Sequence, residues 1–376
     1  MSHTITSSEP ASDLEAKAVT APAHASATLD LTAVGQMLAL QRTIGNHAVA
    51  RLVDSRRRAV QRTIGDGSDL TSPRFKLIED LEAAFDAERD VQINDRGRGV
   101  QAIQQALYDL GFPLPVHGAD GRFGPETQAA VQAFQRANPP LAETGRVDKA
   151  TMIKLNTRFA SFALPAAAAR SATWTVACVK SILCPWAPHT VEMLRTKITL
   201  KSFDNIFWTD EEWDGAAWRP KIFPGGGYNT GTEIGVLNGS CENMAETLYH
   251  EVLHADQPSS QKTTLATESY AYRIGEEFSI AAGLGGRASL RSTDARGRQF
   301  ADPTKVGTFV ASKYPSVPAG GGSDEIVGKA AAAGHVQLRR PDGSFYTRAA
   351  AVGERVPGPM STTNEVTHPQ AAWTCP

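Results

Sequence analysis

The sequence has no excess of charge of either sign and no long hydrophobic run. Its 38 Lys and Arg residues are balanced by 40 Asp and Glu residues, which gives a formal net charge of −2. Without a basic excess there is no electrostatic reason to expect nucleic acid or an anionic membrane as a partner. No apolar stretch approaches the roughly 20 residues that a helix needs to cross a bilayer, so no membrane span is expected.

Cysteine is scarce, and the first residues lack the features of a secretory signal. The opening "MSHTITSSEPASDLEAK" has no basic segment followed by an apolar one, so any export would need another route. The cysteines form no CxxC pair, which argues against a cysteine zinc site; they are Cys178, Cys184, Cys241 and Cys375. Two alternatives stay open: free thiols in a reducing cytosol, or one or two disulfides that close after export and tie Cys375 to Cys178 or Cys184.

Length and composition predict a multidomain α+β protein. A chain of 376 residues exceeds the usual size of one domain. Its segments differ in composition and periodicity: 1–92, disordered or short-helical; 93–158, a small helical domain; 159–172, a linker; 173–285, an α+β domain; and 286–376, an extension with a β-hairpin in "GHVQLRRPDGSFYTR".

A short repeat lies in the first segment. "LQRTIGNHAVARL" begins at Leu40 and "VQRTIGDGS" begins at Val60, a step of 20 residues. The repeat resembles a segment near the N-terminus of proteins associated with extracellular contractile injection systems, the phage-tail-like particles of bacteria. The resemblance implies a cargo or particle-associated protein, made in the bacterial cytoplasm without a signal peptide and then exported or injected.

Residues 96–156 contain three short amphipathic helical patterns. "GRGVQAIQQALYDLGF" and "PETQAAVQAFQRA" place apolar residues at helical spacing, "DGRFG" is a turn, and "GRVDKATMIKLN" predicts a third helix. This unit resembles the peptidoglycan-binding domain 1 family throughout its length, which implies a three-helix bundle that binds wall peptides. A three-helix spacer without ligand affinity is the alternative. The resemblance rests on Val100, Gln104, Leu107, Gly111, Asp120, Gly121, Phe123, Gly124, Thr127, Ala130, Val131, Phe134, Gln135, Gly145, Val147, Thr151 and Leu155.

The next domain is predicted to place strands before a helix. "TWTVACV", "TKITLKSF" and "TEIGVLNGS" alternate like strands, and "FPGGGYNTG" is a glycine-rich loop. The following helix is predicted to be capped by Asn243 with Glu246 as its capping-box partner, and to stop at Pro258. A second helix, "TESYAYRIGEEFSIAAG", is predicted to begin near Thr267.

The first of these helices contains "HEVLH". His250 and His254 lie one turn apart on the same side, so both imidazoles can reach one Zn²⁺ at about 2.0–2.1 Å. Glu251 borders the same side and is placed to take a proton from water. This is the HExxH arrangement of zinc metallopeptidases. The resemblance implies a zincin-like domain that hydrolyses peptide bonds with water activated by the metal.

The third ligand is expected from the second helix. Glu268 stands fourteen residues after His254 and resembles the ligand glutamate of gluzincins, which follows HExxH on a later helix. The spacer here is shorter than is usual in that group. Asp256, Glu276 and Glu277 are the alternatives.

An acyl-transfer site also needs a donor for the developing oxyanion. Tyr272 is the expected donor because it lies one turn after Glu268, with Tyr270 and Tyr228 as alternatives. The predicted function is a zinc peptidase, an effector or toxin acting on peptidoglycan or proteins of a target cell and delivered by an injection particle. The alternative is a non-catalytic particle component with a vestigial metal site.

Overall fold

The computed structural model describes residues 69–160, 172–258, 264–313, 325–340, 343–356 and 358–376. The QRTIG repeat and most of the predicted linker lie outside these residues. The described residues have a mixed α+β architecture, as the sequence predicts. Within them, no helix combines the length and the apolar character that crossing a membrane requires.

Residues 69–160 form a helical unit. Its helices are α1 Glu79–Phe85, α2 Arg98–Asp109, α3 Pro125–Ala137 and α4 Lys149–Ala160. Two buried glutamines hold its turns: Gln104 Oε1 accepts the backbone N–H of Gly121 at 2.7 Å, and Gln135 Oε1 accepts that of Gly145 at 2.9 Å. Both glycines have positive φ, 80° and 68°, a conformation that side chains disfavour. The predicted three helices are therefore joined by turns that depend on glycine and glutamine.

The segment "TWTVACV" contains no strand, so the strand prediction for it was wrong. Its last four residues begin helix α5, Val176–Trp186, and Thr175 caps the helix by accepting the backbone N–H of Cys178 at 3.2 Å. Beyond the cap, Val179, Ile182 and Leu183 are buried at helical spacing. The stretch with helical periodicity is longer than the alternating stretch at its start, so the helix forms in preference to a strand. Helix α6, Pro188–Thr196, comes directly after it.

The central sheet carries the strands that precede the HEVLH helix. Its strands are β1 Thr199–Phe203, β4 Gly227–Asn229, β5 Glu233–Leu237 and β13 Val366–His368, in the order β13-β1-β5-β4. Strands β1 and β5 are parallel, and the outer two pair antiparallel to them. The glycine-rich loop thus ends in the edge strand β4, and the last strand of the chain returns to this sheet.

Two helices follow strand β5 in sequence, α7 Cys241–Ala255 and α8 Thr264–Ala282. Ser240 rather than Asn243 is the N-cap of α7, because its side chain accepts the backbone N–H of Asn243 at 3.2 Å. Glu246 is not its capping partner and instead accepts the backbone N–H of Gly286 at 2.8 Å. Helix α8 begins before Thr267, which lies inside its first turn.

Smaller elements surround this centre. Strand β2 pairs with β3 on one side and with β11 and β12 on the other, and β8, β9 and β10 form an antiparallel sheet that includes the predicted hairpin. The bounds are β2 Asn205–Trp213, β3 Trp218–Pro224, β6 Arg291–Thr293, β7 Gln299–Ala301, α9 Pro303–Lys313, β8 Glu325–Lys329, β9 His335–Arg339, β10 Phe345–Ala349, β11 Arg355–Val356 and β12 Met360–Thr363.

One hydrophobic core joins the helical unit to α5, α7, α8 and the central sheet, and a buried polar cluster lies inside it. Asp109 at the end of α2 accepts the hydroxyl of Tyr249 at 2.7 Å and pairs with Arg74 at 2.7 Å. Gln105 donates to the Tyr249 hydroxyl at 3.2 Å and to the Ile274 carbonyl at 3.0 Å. Burial raises the pKa of Asp109 to about 6, against the opposing effect of Arg74. The helical unit is thus bonded to the residue that directly precedes His250.

Replacing Asp109 with Asn should destabilise the whole protein. At about pH 8, above the pKa of Asp109, the variant leaves the buried Arg74 guanidinium without its counter-charge. Breaking a buried pair in this way costs about 3–5 kcal/mol. The free energy of unfolding from urea titrations measures the loss. Asp80→Asn, which removes an exposed partner of Arg89, is the control and should change little; equal stabilities of the two variants would contradict a structural role for the cluster.

Two disulfides cross-link this core. Cys178 of α5 is bonded to Cys241, the first residue of α7, and Cys184 is bonded to Cys375 near the C-terminus. The second bond pairs Cys375 with Cys184, one of the two partners that the sequence analysis left open for Cys375. Together the bonds attach α5 to the HEVLH helix and to the chain segment that follows β13.

Removing the long-range disulfide should lower stability. The double variant Cys184→Ser/Cys375→Ser releases a loop of 191 residues, and a lost native disulfide costs about 2–4 kcal/mol. The Tm of this variant under oxidising conditions should fall below that of the parent protein. Adding a reductant should lower the parent Tm further than the variant Tm, because the variant has one bond fewer to lose. Identical Tm values with and without reductant would show that the bonds do not form in solution.

Candidate metal centre

Three side chains from two helices converge in one cleft. His250 and His254 lie one turn apart on α7, and their Nε2 atoms are 3.0 Å apart. Glu268 comes from the first half of α8, with Oε1 3.5 Å from His254 Nε2 and Oε2 3.8 Å from His250 Nε2. All three ligand atoms lie within 4.8 Å of one another. The structure therefore brings together the two histidines and the glutamate that the sequence nominated.

The spacing of these atoms suits a small divalent cation. Bonds of about 2.0–2.1 Å in a tetrahedral site separate neighbouring ligand atoms by about 3.3 Å, close to the three distances observed. Glu268 Oε2 is buried without a hydrogen-bond partner among the described residues, and a metal ion is one of the partners that can satisfy such an atom. Two imidazoles and one carboxylate form a donor set that zinc accepts. These residues fit Zn²⁺.

The environment keeps both imidazoles neutral. Burial lowers the pKa of His250 well below its usual value, and His254, Lys313 and Arg287 lower it further. Burial also lowers the pKa of His254, although Glu268 opposes the change. A neutral imidazole has a free lone pair for a metal ion. The two rings are therefore in the protonation state that metal binding requires.

Glu251 lies beside the three converging groups. Burial and, to a smaller extent, Glu268 raise the pKa of its carboxyl to about 7, against the lowering effect of the hydrogen bond from Asn229. Asn229 of the edge strand β4 donates to the Glu251 backbone carbonyl at 2.5 Å and lies 3.4 Å from Oε2. A carboxyl group with a pKa near 7 can both accept and return a proton at neutral pH.

Tyr272 closes one side of the site. Its ring contacts the His250 ring, with centroids 4.6 Å apart, and packs edge-on against Phe309 at 5.0 Å. The Tyr272 hydroxyl contacts the Lys313 ammonium at the end of α9. Because the ammonium group can only donate, the hydroxyl proton stays available for an acceptor in the cleft.

The alternative residues have other partners. The carboxylates pair with basic side chains elsewhere: Asp256 with His189, Glu276 with Arg291, and Glu277 with Arg298. The other tyrosines are also engaged: Tyr270 accepts the backbone N–H of Ala119, and Tyr228 donates to Glu233. None of these five belongs to the His–His–Glu cluster among the described residues.

The cluster opens into a cleft of about 940 Å³. Three of its residues were not anticipated from the sequence: Asn229, Arg287 and Lys313. Asn229 belongs to the glycine-rich loop, which offered a weak signal. Arg287 and Lys313 stand 19 and 45 residues after Glu268, and no local pattern marks them.

The comparisons with known proteins concern parts of the chain. Residues 96–155 match the family described as "Putative peptidoglycan binding domain". The chain is also 33% identical over 99 residues to the "Type VI secretion system spike protein VgrG3" of Vibrio cholerae serotype O1. That similarity covers 24% of this chain and 9% of the spike protein. No solved structure matches the chain. The chain therefore contains a peptidoglycan-binding domain and is similar over a short stretch to a secretion-system component.

Proposed function

We propose that this protein is a zinc-dependent peptidase with a zincin-like catalytic domain, in which His250, His254 and Glu268 hold the metal. The observation that carries the proposal is the convergence of their three ligand atoms within 4.8 Å, beside the carboxylate of Glu251. The sequence motif supports the same assignment, since in HEVLH two histidines one turn apart supply two zinc ligands and the glutamate between them supplies the general base.

Bound zinc would supply Lewis-acid polarisation of a peptide carbonyl and a lowered pKa for water. Glu251 accepts the proton of the attacking water and returns it to the leaving amine. Asn229 holds the backbone of Glu251 from the edge strand and so fixes the base relative to the cleft. Tyr272 donates a hydrogen bond from its hydroxyl to the developing oxyanion, while the Lys313 ammonium donates to the hydroxyl oxygen.

The substrate is proposed from the rest of the chain. The peptidoglycan-binding domain supports a wall peptide, because a binding domain on the same chain raises the local concentration of substrate. A protein of a target cell is the other substrate class. The similarity to a secretion-system spike protein, together with the N-terminal QRTIG repeat, supports an effector that a contractile particle delivers.

A second candidate is a non-catalytic wall-binding component of such a particle. It is favoured by the same two similarities, since neither the matched domain nor the spike protein carries an enzyme name. In that case the His–His–Glu cluster would be vestigial.

The purified protein should contain about one zinc ion per chain, as expected for a catalytic site with three protein ligands and one open position. His254→Ala should remove most of this zinc because it deletes one ligand. Metal content is measured by mass spectrometry after dialysis. His335→Ala is the matched control, since His335 lies on β9 with its ring against the Ala333 carbonyl, and it should retain the zinc. Equal zinc contents in the two variants would place the metal elsewhere.

Zinc-loaded protein should release peptides from purified sacculi or cleave casein, and Glu251→Gln should reduce kcat by about 10²–10⁴-fold, the contribution of a general base. The variant should keep its zinc. Glu192→Gln, an exposed carboxylate on α6 paired with Arg195, is the control and should keep full activity. Sacculus binding without cleavage of either substrate would favour the non-catalytic component.

A further inference from the structure

A patch of cationic and aromatic side chains borders the metal ligands on one side of the cleft. This cationic wall consists of Arg287, Lys313, Tyr272 and Phe309. The Arg287 guanidinium lies 5.3 Å from the Tyr272 ring centroid and 5.7 Å from that of Phe309. The Lys313 ammonium lies 5.0 Å from the Tyr272 centroid. Both cations act on His250, since each lowers the pKa of its imidazole.

The backbone that carries Arg287 is fixed by the cleft itself. The Gly286 N–H donates to Glu246 at 2.8 Å, and the Arg287 N–H donates to Glu276 at 2.8 Å. Gly286 has a φ of +53°, and a Cβ there would meet the Arg291 guanidinium at 2.2 Å. Only glycine fits this turn without a shift. The two backbone hydrogen bonds to Glu246 and Glu276 hold the backbone at Arg287 in place. A side chain that extends from a fixed backbone loses less conformational entropy when it binds a ligand.

The acidic groups nearby do not neutralise this arginine. Glu276 contacts the Arg291 side chain, and Glu246 is bound to the Gly286 backbone N–H. Within the described part of the chain, no carboxylate forms an ion pair with Arg287. The Arg287 guanidinium lies over two aromatic rings, and its side chain donates no hydrogen bond to the described residues. Its N–H groups are therefore open to a ligand, and their geometry matches a carboxylate in bidentate fashion.

The position of Arg287 sets how far such a ligand lies from the reaction. Tyr272 touches both His250 and Arg287, which places the guanidinium within about 10 Å of the His250 ring. An extended peptide advances about 3.3–3.6 Å per residue. A group bound by Arg287 therefore lies within about three residues of a bond held at the metal ligands.

We propose that Arg287, supported by Lys313, binds a carboxylate that the substrate carries within about three residues of the scissile bond. This inference rests on the proposed function of the cleft, and it names the substrate class as acidic peptides. The carboxylate is either the free C-terminus of the peptide or an acidic side chain. The same chemistry serves both, so the experiment has to separate them.

The test uses full-length, zinc-loaded protein that also carries Glu251→Gln, so that peptides bind without being cut. Two pools are offered to the immobilised protein: soluble peptides released from purified sacculi, and tryptic peptides of casein. Each pool is used untreated and after chemical amidation of all carboxylates. Synthetic copies of the retained peptides then carry either a C-terminal amide or Gln in place of Glu. Retention is quantified by mass spectrometry.

Amidation should lower retention about tenfold, the effect of one charge-assisted contact, and only one of the two synthetic series should reproduce this loss. Adding Arg287→Gln should remove the preference, so that native and amidated peptides differ by less than about twofold. Because zinc is present in both proteins, any binding of carboxylates to the metal itself cancels in this comparison. The matched control Arg195→Gln, on an exposed arginine of α6, should keep the full preference.

In the binding assay, two results would overturn the inference: equal retention of native and amidated peptides, or an unchanged preference for native peptides after Arg287→Gln. The proposed function fails separately, if the protein without Glu251→Gln cleaves neither sacculi nor casein. Cleavage of acidic and neutral peptides at equal kcat/KM would leave a peptidase whose specificity does not come from Arg287.

Discussion

The packing of α7 against α8 is the contact on which the rest of the structure depends. One face of this pair places His250, His254 and Glu268 around a common point. Another face is bonded to the helical unit, where Gln105 donates to both the Tyr249 hydroxyl and the Ile274 carbonyl. A shift of either helix would therefore disturb the buried polar cluster as well as the ligand geometry. The stability of the core and the precision of the site come from the same contact.

The sequence predicted the parts of the site that lie on one helix, and fewer of those that depend on tertiary contacts. His250 and His254 follow from helical periodicity alone, and Glu268 was nominated from a second helix by family resemblance. Arg287 could not be found in this way, because a turn fixed by Glu246 and Glu276 brings it to the cleft. The N-cap of α7 was misplaced by three residues, since Ser240 and Asn243 are both good caps and only the backbone geometry distinguishes them.

The three-helix pattern was also readable from the sequence, but its relation to the remainder was not. Residues 96–155 match a peptidoglycan-binding family, and domain boundaries generally fall in flexible linkers. Here Asp109 and Arg74 are buried at the junction, and Arg273 of α8 donates to the Ala119 carbonyl at 2.9 Å. These buried contacts fix the orientation of the cleft relative to the helical unit. The cleft therefore faces any surface that the helical unit binds in one fixed direction, and it cannot reach as far from that surface as a flexibly linked domain could.

The two disulfides have a consequence for transport. They close the chain into loops of 63 and 191 residues, and the bond between Cys178 and Cys241 lies at the start of the helix that carries both histidines. A cross-linked chain cannot be threaded lengthwise through a pore that admits one extended strand. Any translocation as an unfolded thread must therefore precede oxidation. Once oxidised, the molecule can cross a barrier only as a folded body, which requires an opening or a lumen as wide as its own diameter.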